Sequence, residues 1–225
     1  MPTTEIIALH PLASSDNDRE PQGKAANGTD GTVGDLSESD GLQSCYYGLR
    51  VEHPHTLDAL ITWNDAYAHD MSHLAYLVAK HYPSTLFSKH HVEFEPFSEY
   101  ARAVAAPVTE VATLYYDGLP PADCMDGLRE MRQVFVDHQI SGWLALAAGL
   151  THEDVEYEGV EGKAAVLVIG WQSTEHHLAW RATQLYADTL HLWPRGAKKL
   201  EMHHTAFRPG NNILGGSTLH VPIGG

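Results

Sequence analysis

The chain has 225 residues, 43% hydrophobic and 19% charged, a composition typical of a globular protein that excludes disorder throughout. A formal net charge of -15, from 29 acids and 14 bases, repels phosphate backbones, so we expect no nucleic-acid partner. We find no leader-like segment and no apolar run of about 18 residues, and therefore expect a cytoplasmic protein without membrane contact. Its two cysteines, Cys45 and Cys124, lie far apart without metal-site spacing and are expected to be free thiols.

The first half combines strand-like and helix-like patterns around a polar segment. Residues 13–40 are acidic and poor in bulky apolar groups, which predicts a flexible insertion. The apolar patterns predict strands over 5–10, 44–51 and 89–94, a helix over 56–80 and a breaker-rich bridge over 95–107.

The second half reads as a β-α-β-β-α-β unit. The patterns predict strands over 108–116, 142–150, 163–171 and 200–207, with helices over 123–138 and 173–193. A Gly-rich tail follows, over 211–225.

A histidine-containing pattern occurs once in each half. Residues 90–96 and 203–209 share the spelling His-His-x-x-Phe-x-Pro at an offset of 113 residues. Repetition at half the chain length predicts one structural unit written twice, a repeat over 1–106 and a second over 107–210. The fold class is then α+β, with tandem ferredoxin-like repeats, the first degraded, that form one antiparallel α+β barrel.

Residues 169–180, Ile-Gly-Trp-Gln-Ser-Thr-Glu-His-His-Leu-Ala-Trp, and the closing Glu-Met-His-His over 201–204 carry a resemblance. The pattern resembles the dimeric α+β barrel superfamily, in particular fungal proteins of the antibiotic-biosynthesis-monooxygenase-like type with two fused units. That resemblance implies a barrel fold and a range of activities: cofactor-free monooxygenases, polyketide cyclases, lyases, heme enzymes and proteins with no demonstrated reaction.

The repeated strands supply the first candidate catalytic residues. Strand alternation places His90 with Phe94 on one face and His203 with Phe207 on the corresponding face, which we expect to be buried. Each histidine is either a pocket acid/base or a structural group with a hydrogen-bond partner, since an unpaired buried polar group costs about 1 to 3 kcal/mol. Phe94 and Phe207 are candidate substrate-binding residues.

Ends of equivalent strands supply the other candidates. His10 closes the first strand, and Tyr115 and Tyr116 close its equivalent in the second half. A histidine base with a tyrosine that polarises a carbonyl is what an aldol-type cyclase needs, although tyrosine as core filler is the alternative. Trp171 offers a flat ring to an aromatic substrate, or packs in the core.

Signals for metals and cofactors are weak. Asp65, His69 and His73 share one flank of the predicted helix, but no further ligand lies near in sequence, so we predict no metal. Nucleotide, serine-hydrolase and c-type heme motifs are missing from the sequence, and we predict no cofactor.

These observations favour a cofactor-independent enzyme that acts on a hydrophobic aromatic or polyketide-like molecule by oxygenation, cyclisation or a lyase step. The alternative is a noncatalytic small-molecule-binding or stress-associated barrel, and a weaker one is a heme- or metal-binding barrel. Fusion of two units completes the barrel within one chain, so the protein is expected to be a monomer or a homodimer.

Overall fold

The structure is a computed structural model of the chain, and it describes residues 1–11, 41–64, 85–193 and 195–210. The described strands are β1 (Thr3–Pro11), β2 (Leu42–Leu49), β3 (Leu57–Trp63), β4 (Thr85–Val92), β5 (Val108–Tyr115), β6 (Trp143–Leu150), β7 (Val155–Tyr157), β8 (Val160–Gly162), β9 (Ala164–Trp171), β10 (Lys199–Thr205) and β11 (Arg208–Pro209). The described helices are α1 (Phe97–Val104), α2 (Cys124–Asp137), α3 (Thr174–Arg181) and α4 (Gln184–Thr189), with a 3-10 turn over Leu190–Leu192. Within this part of the chain no helix is long and apolar enough to cross a bilayer.

The strands form two antiparallel sheets. The first has the order β11-β2-β3-β1-β4, and the second has the order β10-β5-β9-β6. In the second sheet the edge strands β10 and β6 flank the central strands β5 and β9. Strand β11 belongs to the second half but pairs with β2 of the first, so the chain crosses between sheets at that edge. Isolated bridges Val92↔Thr151 and Glu95↔Ala148 connect the opposite edges.

Each sheet has apolar residues on both faces, which gives the protein separate cores. One core lies between the sheets and includes Leu60, Val92, Val111 and Val168. The other covers the outer face of the second sheet, where α2 and α3 pack through aromatic side chains such as Phe135. Alternation along each strand divides its residues between these two environments.

Helix α1 lies in the inner core and touches both sheets. The Thr109 hydroxyl donates to the Ala103 carbonyl at 2.7 Å, and the Tyr100 hydroxyl lies 3.3 Å from the Thr62 hydroxyl of the first sheet. Glycine is required at position 170 because a Cβ there would lie 2.9 Å from the Ala103 Cα. This close approach fixes the distance between α1 and β9.

Most second-half predictions are confirmed, with boundaries shifted by one or two residues. The predicted helix over 173–193 is interrupted, because the Thr183 side chain accepts from the Tyr186 backbone N–H and caps α4 as a new helix. A hairpin, β7 to β8, was not predicted. Its turn residues Glu158 and Gly159 have φ values of 48° and 80°, which suit a two-residue β-turn.

Two first-half predictions are wrong. Leu57–Trp63 is strand β3 rather than the start of a helix, because Leu60 faces the inner core while Ile61 and Trp63 pack in a third core, on the other face of the first sheet. A strand that is apolar on both faces imitates a buried helix in sequence. The rest of that predicted helix, the 13–40 insertion and the 211–225 tail lie outside the described residues.

The predicted bridge over 95–107 contains α1. The two prolines that suggested a bridge frame this helix instead, since Pro96 precedes its first residue and Pro107 follows its end. The expected single barrel is also not seen in the described ranges, where the strands form two sheets linked at their edges by short pairings.

A buried ionic network joins the two sheets across the inner core. Arg50 donates from Nε to Asp58 at 2.9 Å and from Nη1 to Glu201 of the second sheet at 2.5 Å. Asp58 also lies 2.8 Å from the His203 Nε2 atom and accepts from the Thr205 hydroxyl at 2.9 Å. Because Asp58 is 3% exposed, it holds three buried partners by charge and hydrogen bonds rather than through water.

We expect Asp58→Ala to lower the free energy of unfolding by about 3 to 5 kcal/mol, because removal of one member of a buried ionic network leaves the others uncompensated. The matched control is Asp126→Ala, which breaks an exposed pair with Arg129 and should leave the free energy of unfolding nearly unchanged. Urea denaturation of both variants measures the difference. Equal values for the two would contradict a structural role for the network.

Candidate active site

A small cavity lies between the outer face of the second sheet and the helices that cover it. Its volume is about 10 Å³, which is about the size of one water molecule. Its walls are largely aromatic, and the aromatic lining residues are Phe135, Trp171, Trp180, Tyr186 and Trp193. Polar groups enter this cavity from β5 and α3, as Glu110 and His177.

Glu110 is the acidic group of the cavity. It is 1% exposed, because alternation along β5 points it at the helices while its neighbours Thr109 and Val111 face the inner core. The Trp171 Nε1–H donates to Glu110 Oε2 at 2.9 Å. Burial raises the pKa of Glu110 to about 7, because it outweighs the lowering effect of that hydrogen bond. The carboxyl therefore changes its protonation state near neutral pH.

Two histidines continue from Glu110 in a line. His177 lies on the buried face of α3, with its Nε2 atom 3.5 Å from Glu110 Oε2. Its other ring nitrogen, Nδ1, lies 2.7 Å from the Nε2 atom of His204, which is the residue paired with Glu110 across β5 and β10. Burial lowers the pKa of His177 to about 4, so its ring is neutral at pH 7.

Glu52 ends the line at the surface. Its two oxygens accept from the His204 ring at Nδ1, at 2.5 Å, and from the His204 backbone N–H, at 2.8 Å. Burial raises the pKa of Glu52, but the two bonds from His204 outweigh that effect and leave the pKa below its ordinary value. Glu52 is therefore an ionised acceptor, and His204 donates to it from Nδ1.

Three of these residues are also of the types that bind metal ions. Glu110, His177 and His204 each offer one ligand atom, and these atoms lie within 4.8 Å of one another. Nitrogens bound to one tetrahedral zinc ion are about 3.3 Å apart, given bonds of 2.0 to 2.1 Å. The 2.7 Å between His177 Nδ1 and His204 Nε2 is a hydrogen bond instead.

Three of the four predicted catalytic residues lie close together, in the inner ionic network. His203 lies beside Asp58, and the Tyr115 hydroxyl donates to Glu201 at 3.1 Å. His10 lies at the edge of this network, with Nδ1 3.4 Å from the Thr56 hydroxyl. The charged groups of the network are paired with one another.

The remaining predicted residues lie elsewhere. His90 faces the inner core away from these contacts, and burial lowers its pKa to about 4. Phe94 and Phe207 also pack in that core, as their strand positions predicted.

The Tyr116 hydroxyl lies 3.5 Å from Cys124 Sγ on the helix side. Trp171 alone among the predicted substrate-binding residues lines the cavity. The predicted metal residues Asp65, His69 and His73 lie outside the described ranges.

Sequence reasoning missed Glu110, His177 and His204. It expected the first histidine of each His-His pair to be the buried one, whereas the second histidines, His91 and His204, are themselves buried, each at 7% exposure. The available signal was Glu110, a lone acid in a strand of apolar residues and threonines, which is uncommon unless the acid is paired or functional.

Comparison with known proteins supports the fold. No protein-family profile and no curated sequence matches the chain. A solved structure titled an anthrone oxidase-like protein matches 96% of this chain and 97% of its own, with 14% identity and a TM-score of 0.58. A protein assigned as a monooxygenase from Lactobacillus acidophilus matches 92% and 93%, with 10% identity and a TM-score of 0.55. A protein assigned as a chlorite dismutase matches 94% and 97%, with 9% identity and a TM-score of 0.57.

These similarities identify the class of fold. The neighbours have ferredoxin-like α+β folds, and this chain shares that architecture over more than nine-tenths of its length. At identities of 14% or less they carry no substrate or mechanism across to this chain.

The raised pKa of Glu110 has a consequence for stability. Between pH 4.5, its ordinary value, and about 7, the unfolded chain loses this proton first, so the ionisation destabilises the folded state as pH rises. We expect Glu110→Gln to remove this loss, so the stability of the variant relative to the native protein rises by about 3 kcal/mol across that range. Chemical denaturation at pH 4.5, 6 and 8 measures it.

The matched control is Glu130→Gln, which changes an exposed carboxyl on α2. Its stability relative to the native protein should stay constant over the same pH range. A flat difference for Glu110→Gln as well would mean that Glu110 ionises normally in the folded protein.

Proposed function

We propose that this protein is a cofactor-independent oxidase that acts on an electron-rich aromatic ketone of the anthrone or polyketide type, with Glu110 as the general base. One observation carries the proposal: a buried carboxyl with a pKa of about 7 faces an aromatic-walled cavity. A base whose pKa lies near the working pH is ionised in a large fraction of the molecules and still binds a proton strongly. The resemblance of the fold to an anthrone oxidase-like protein supports the substrate class.

The chemistry begins with a carbon acid. The carboxylate of Glu110 removes one proton from the activated CH2 group between aromatic rings and leaves a delocalised carbanion. The Trp171 Nε1–H, 2.9 Å from Glu110, holds the carboxylate in place. Indole and phenyl walls suit a flat polycyclic substrate, which stacks against them.

Molecular oxygen is the second substrate and the oxidant. The carbanion reduces O2 and forms a C–O bond, which gives a peroxide anion. One proton returns to make the hydroperoxide, which loses water as its carbon gains a carbonyl. In total CH2 and O2 become C=O and H2O, so four electrons pass from carbon to oxygen.

Entry of such a substrate requires the cavity to open. Tyr186 and Thr189 of α4, with Trp193 just beyond it, form one wall. The α4 helix has only six residues, so its displacement breaks few backbone hydrogen bonds. We assign this segment as the part of the wall that moves when substrate binds.

We also propose that the chain consists of two related structural units, residues 1–106 and 107–210. Corresponding positions support this. His91 pairs across strands with Glu5 as His204 pairs with Glu110. In addition, Trp63 is the last residue of β3 as Trp171 is of β9.

The direct test is turnover of an anthrone by the purified protein, followed by oxygen uptake and by the absorbance of the quinone product. We expect Glu110→Gln to lower kcat/KM by about 100-fold or more, since a positioned general base contributes about 10²- to 10⁴-fold. Glu130→Gln is the control and should retain full activity. Unchanged turnover by Glu110→Gln would exclude this assignment, and binding of the anthrone without turnover would favour a noncatalytic role.

Trp171 should tune the pH dependence of the reaction. In the native protein kcat/KM is expected to rise with pH to half its plateau near 7, because the base must be ionised. Trp171→Phe removes a hydrogen bond that favours the carboxylate, so the midpoint should move upward by about one pH unit.

The control for that experiment is Trp193→Phe. Trp193 also lines the cavity but does not contact Glu110 among the described hydrogen bonds, so its midpoint should stay near 7. A midpoint that moves equally in both variants would trace the effect to the shape of the cavity.

A further inference from the structure

We propose that His177, His204 and Glu52 form a two-way proton conduit between Glu110 and solvent, and that the first half of the chain supplies its outer end. The inference rests on the proposed function of Glu110 and adds the route of the proton. His177, His204 and Glu52 do not contact the reacting carbon, so they act as positioning and proton-transfer groups.

The contacts form a continuous line from the cavity to the surface. The separations are 3.5 Å from Glu110 to His177, 2.7 Å from His177 to His204, and 2.5 Å from His204 to Glu52. The side chain of Glu110 is 2% exposed, whereas that of Glu52 is 39% exposed. Only the last group can exchange protons directly with bulk water.

With both rings neutral, the outer end sets the donor and acceptor roles along this line. Ionised Glu52 accepts from His204 Nδ1, His204 Nε2 then accepts from His177 Nδ1, and His177 Nε2 faces Glu110 as an acceptor. With protonated Glu110, every hydrogen points outward. One hop along each bond then delivers a proton to Glu52 and leaves Glu110 as the carboxylate.

This first transfer reverses the line, so that each histidine carries its proton on Nε2. A line in that state conducts the next proton inward, because every hydrogen now points toward the cavity. In the proposed reaction Glu110 starts as the carboxylate beside a line in which both histidines carry their proton on Nδ1. The proton that Glu110 takes from the carbon acid leaves outward, and the reversed line then returns a proton for the peroxide anion. One catalytic cycle therefore restores the starting arrangement.

The chain contains a natural control for the conduit. His91 binds Glu153 as His204 binds Glu52: the backbone N–H of His91 donates to Glu153 Oε2 at 3.0 Å and its Nδ1 atom contacts Oε1. A glutamate that binds both the backbone N–H and the ring Nδ1 of a histidine, a structural clamp, therefore occurs twice. At the first copy, however, the paired strand carboxyl Glu5 lies 3.4 Å from the Lys89 ammonium, where the second copy has Met202.

The experiment compares Glu52→Gln with Glu153→Gln. Glutamine keeps a hydrogen-bond acceptor for the histidine but cannot take up a proton at neutral pH. We expect Glu52→Gln to lower kcat for anthrone oxidation about tenfold or more, and added imidazole buffer to restore it with increasing concentration. Glu153→Gln should lose similar stability and keep its kcat.

A spectroscopic measurement tests the conduit without turnover. NMR of ¹⁵N-histidine-labelled protein should show His177 and His204 protonated on Nδ1 and unprotonated on Nε2, the arrangement in which a proton taken up by Glu110 can leave outward. Glu153→Gln should leave these tautomers unchanged. Protonation of either ring on Nε2 in the native protein would overturn the conduit.

The outcomes separate the two proposals. Equal losses of kcat in both glutamine variants, or a loss in Glu52→Gln that buffer does not restore, would overturn the conduit and leave Glu52 as a structural clamp. Full activity of Glu52→Gln with an inactive Glu110→Gln would overturn the conduit but retain the proposed function. An active Glu110→Gln would overturn the function, and the tautomer measurement would then decide the conduit.

Discussion

The contact of Asp58 with Arg50 and His203 is the constraint on which the arrangement of the two sheets depends. Arg50 and Asp58 belong to the first half of the chain and His203 to the second, and the buried charges of Arg50 and Asp58 are expensive to bury without partners. Two residues beyond Arg50, Glu52 binds His204, and the Val51 N–H donates to the His204 carbonyl at 2.7 Å. A shift between the sheets that broke the inner network would also remove the outer carboxylate from its histidine.

The second sheet places two kinds of carboxyl group on its opposite faces. Inside, Glu201 is bonded by Arg50 and Tyr115, and although burial raises its pKa, the charge of Arg50 outweighs that effect and keeps the carboxyl ionised. Outside, Glu110 has an indole N–H and the neutral imidazole of His177 as neighbours, so burial prevails. The choice of partner thus separates a group that holds the fold together from one that can exchange a proton.

Sequence patterns predicted the second half well because its strands and helices differ in period. They failed where one segment satisfies two patterns: Leu57–Trp63 is apolar on both faces, and the segment between Pro96 and Pro107 is long enough for a helix. The candidate site was predicted only through Trp171. The burial of His204, next to the predicted His203, depends on helices packing over the outer face, which strand alternation alone does not reveal.

Glu52 lies in the first half of the chain and the histidine that it binds lies in the second, so the two halves are not interchangeable. A second half expressed alone would retain the aromatic cavity and the paired histidines but would lack the carboxylate at their outer end. Because both halves belong to one chain, each cavity has one such carboxylate. Recombination of either half with a foreign partner would therefore have to preserve a glutamate three residues beyond the end of β2 as well as the fit between the sheets.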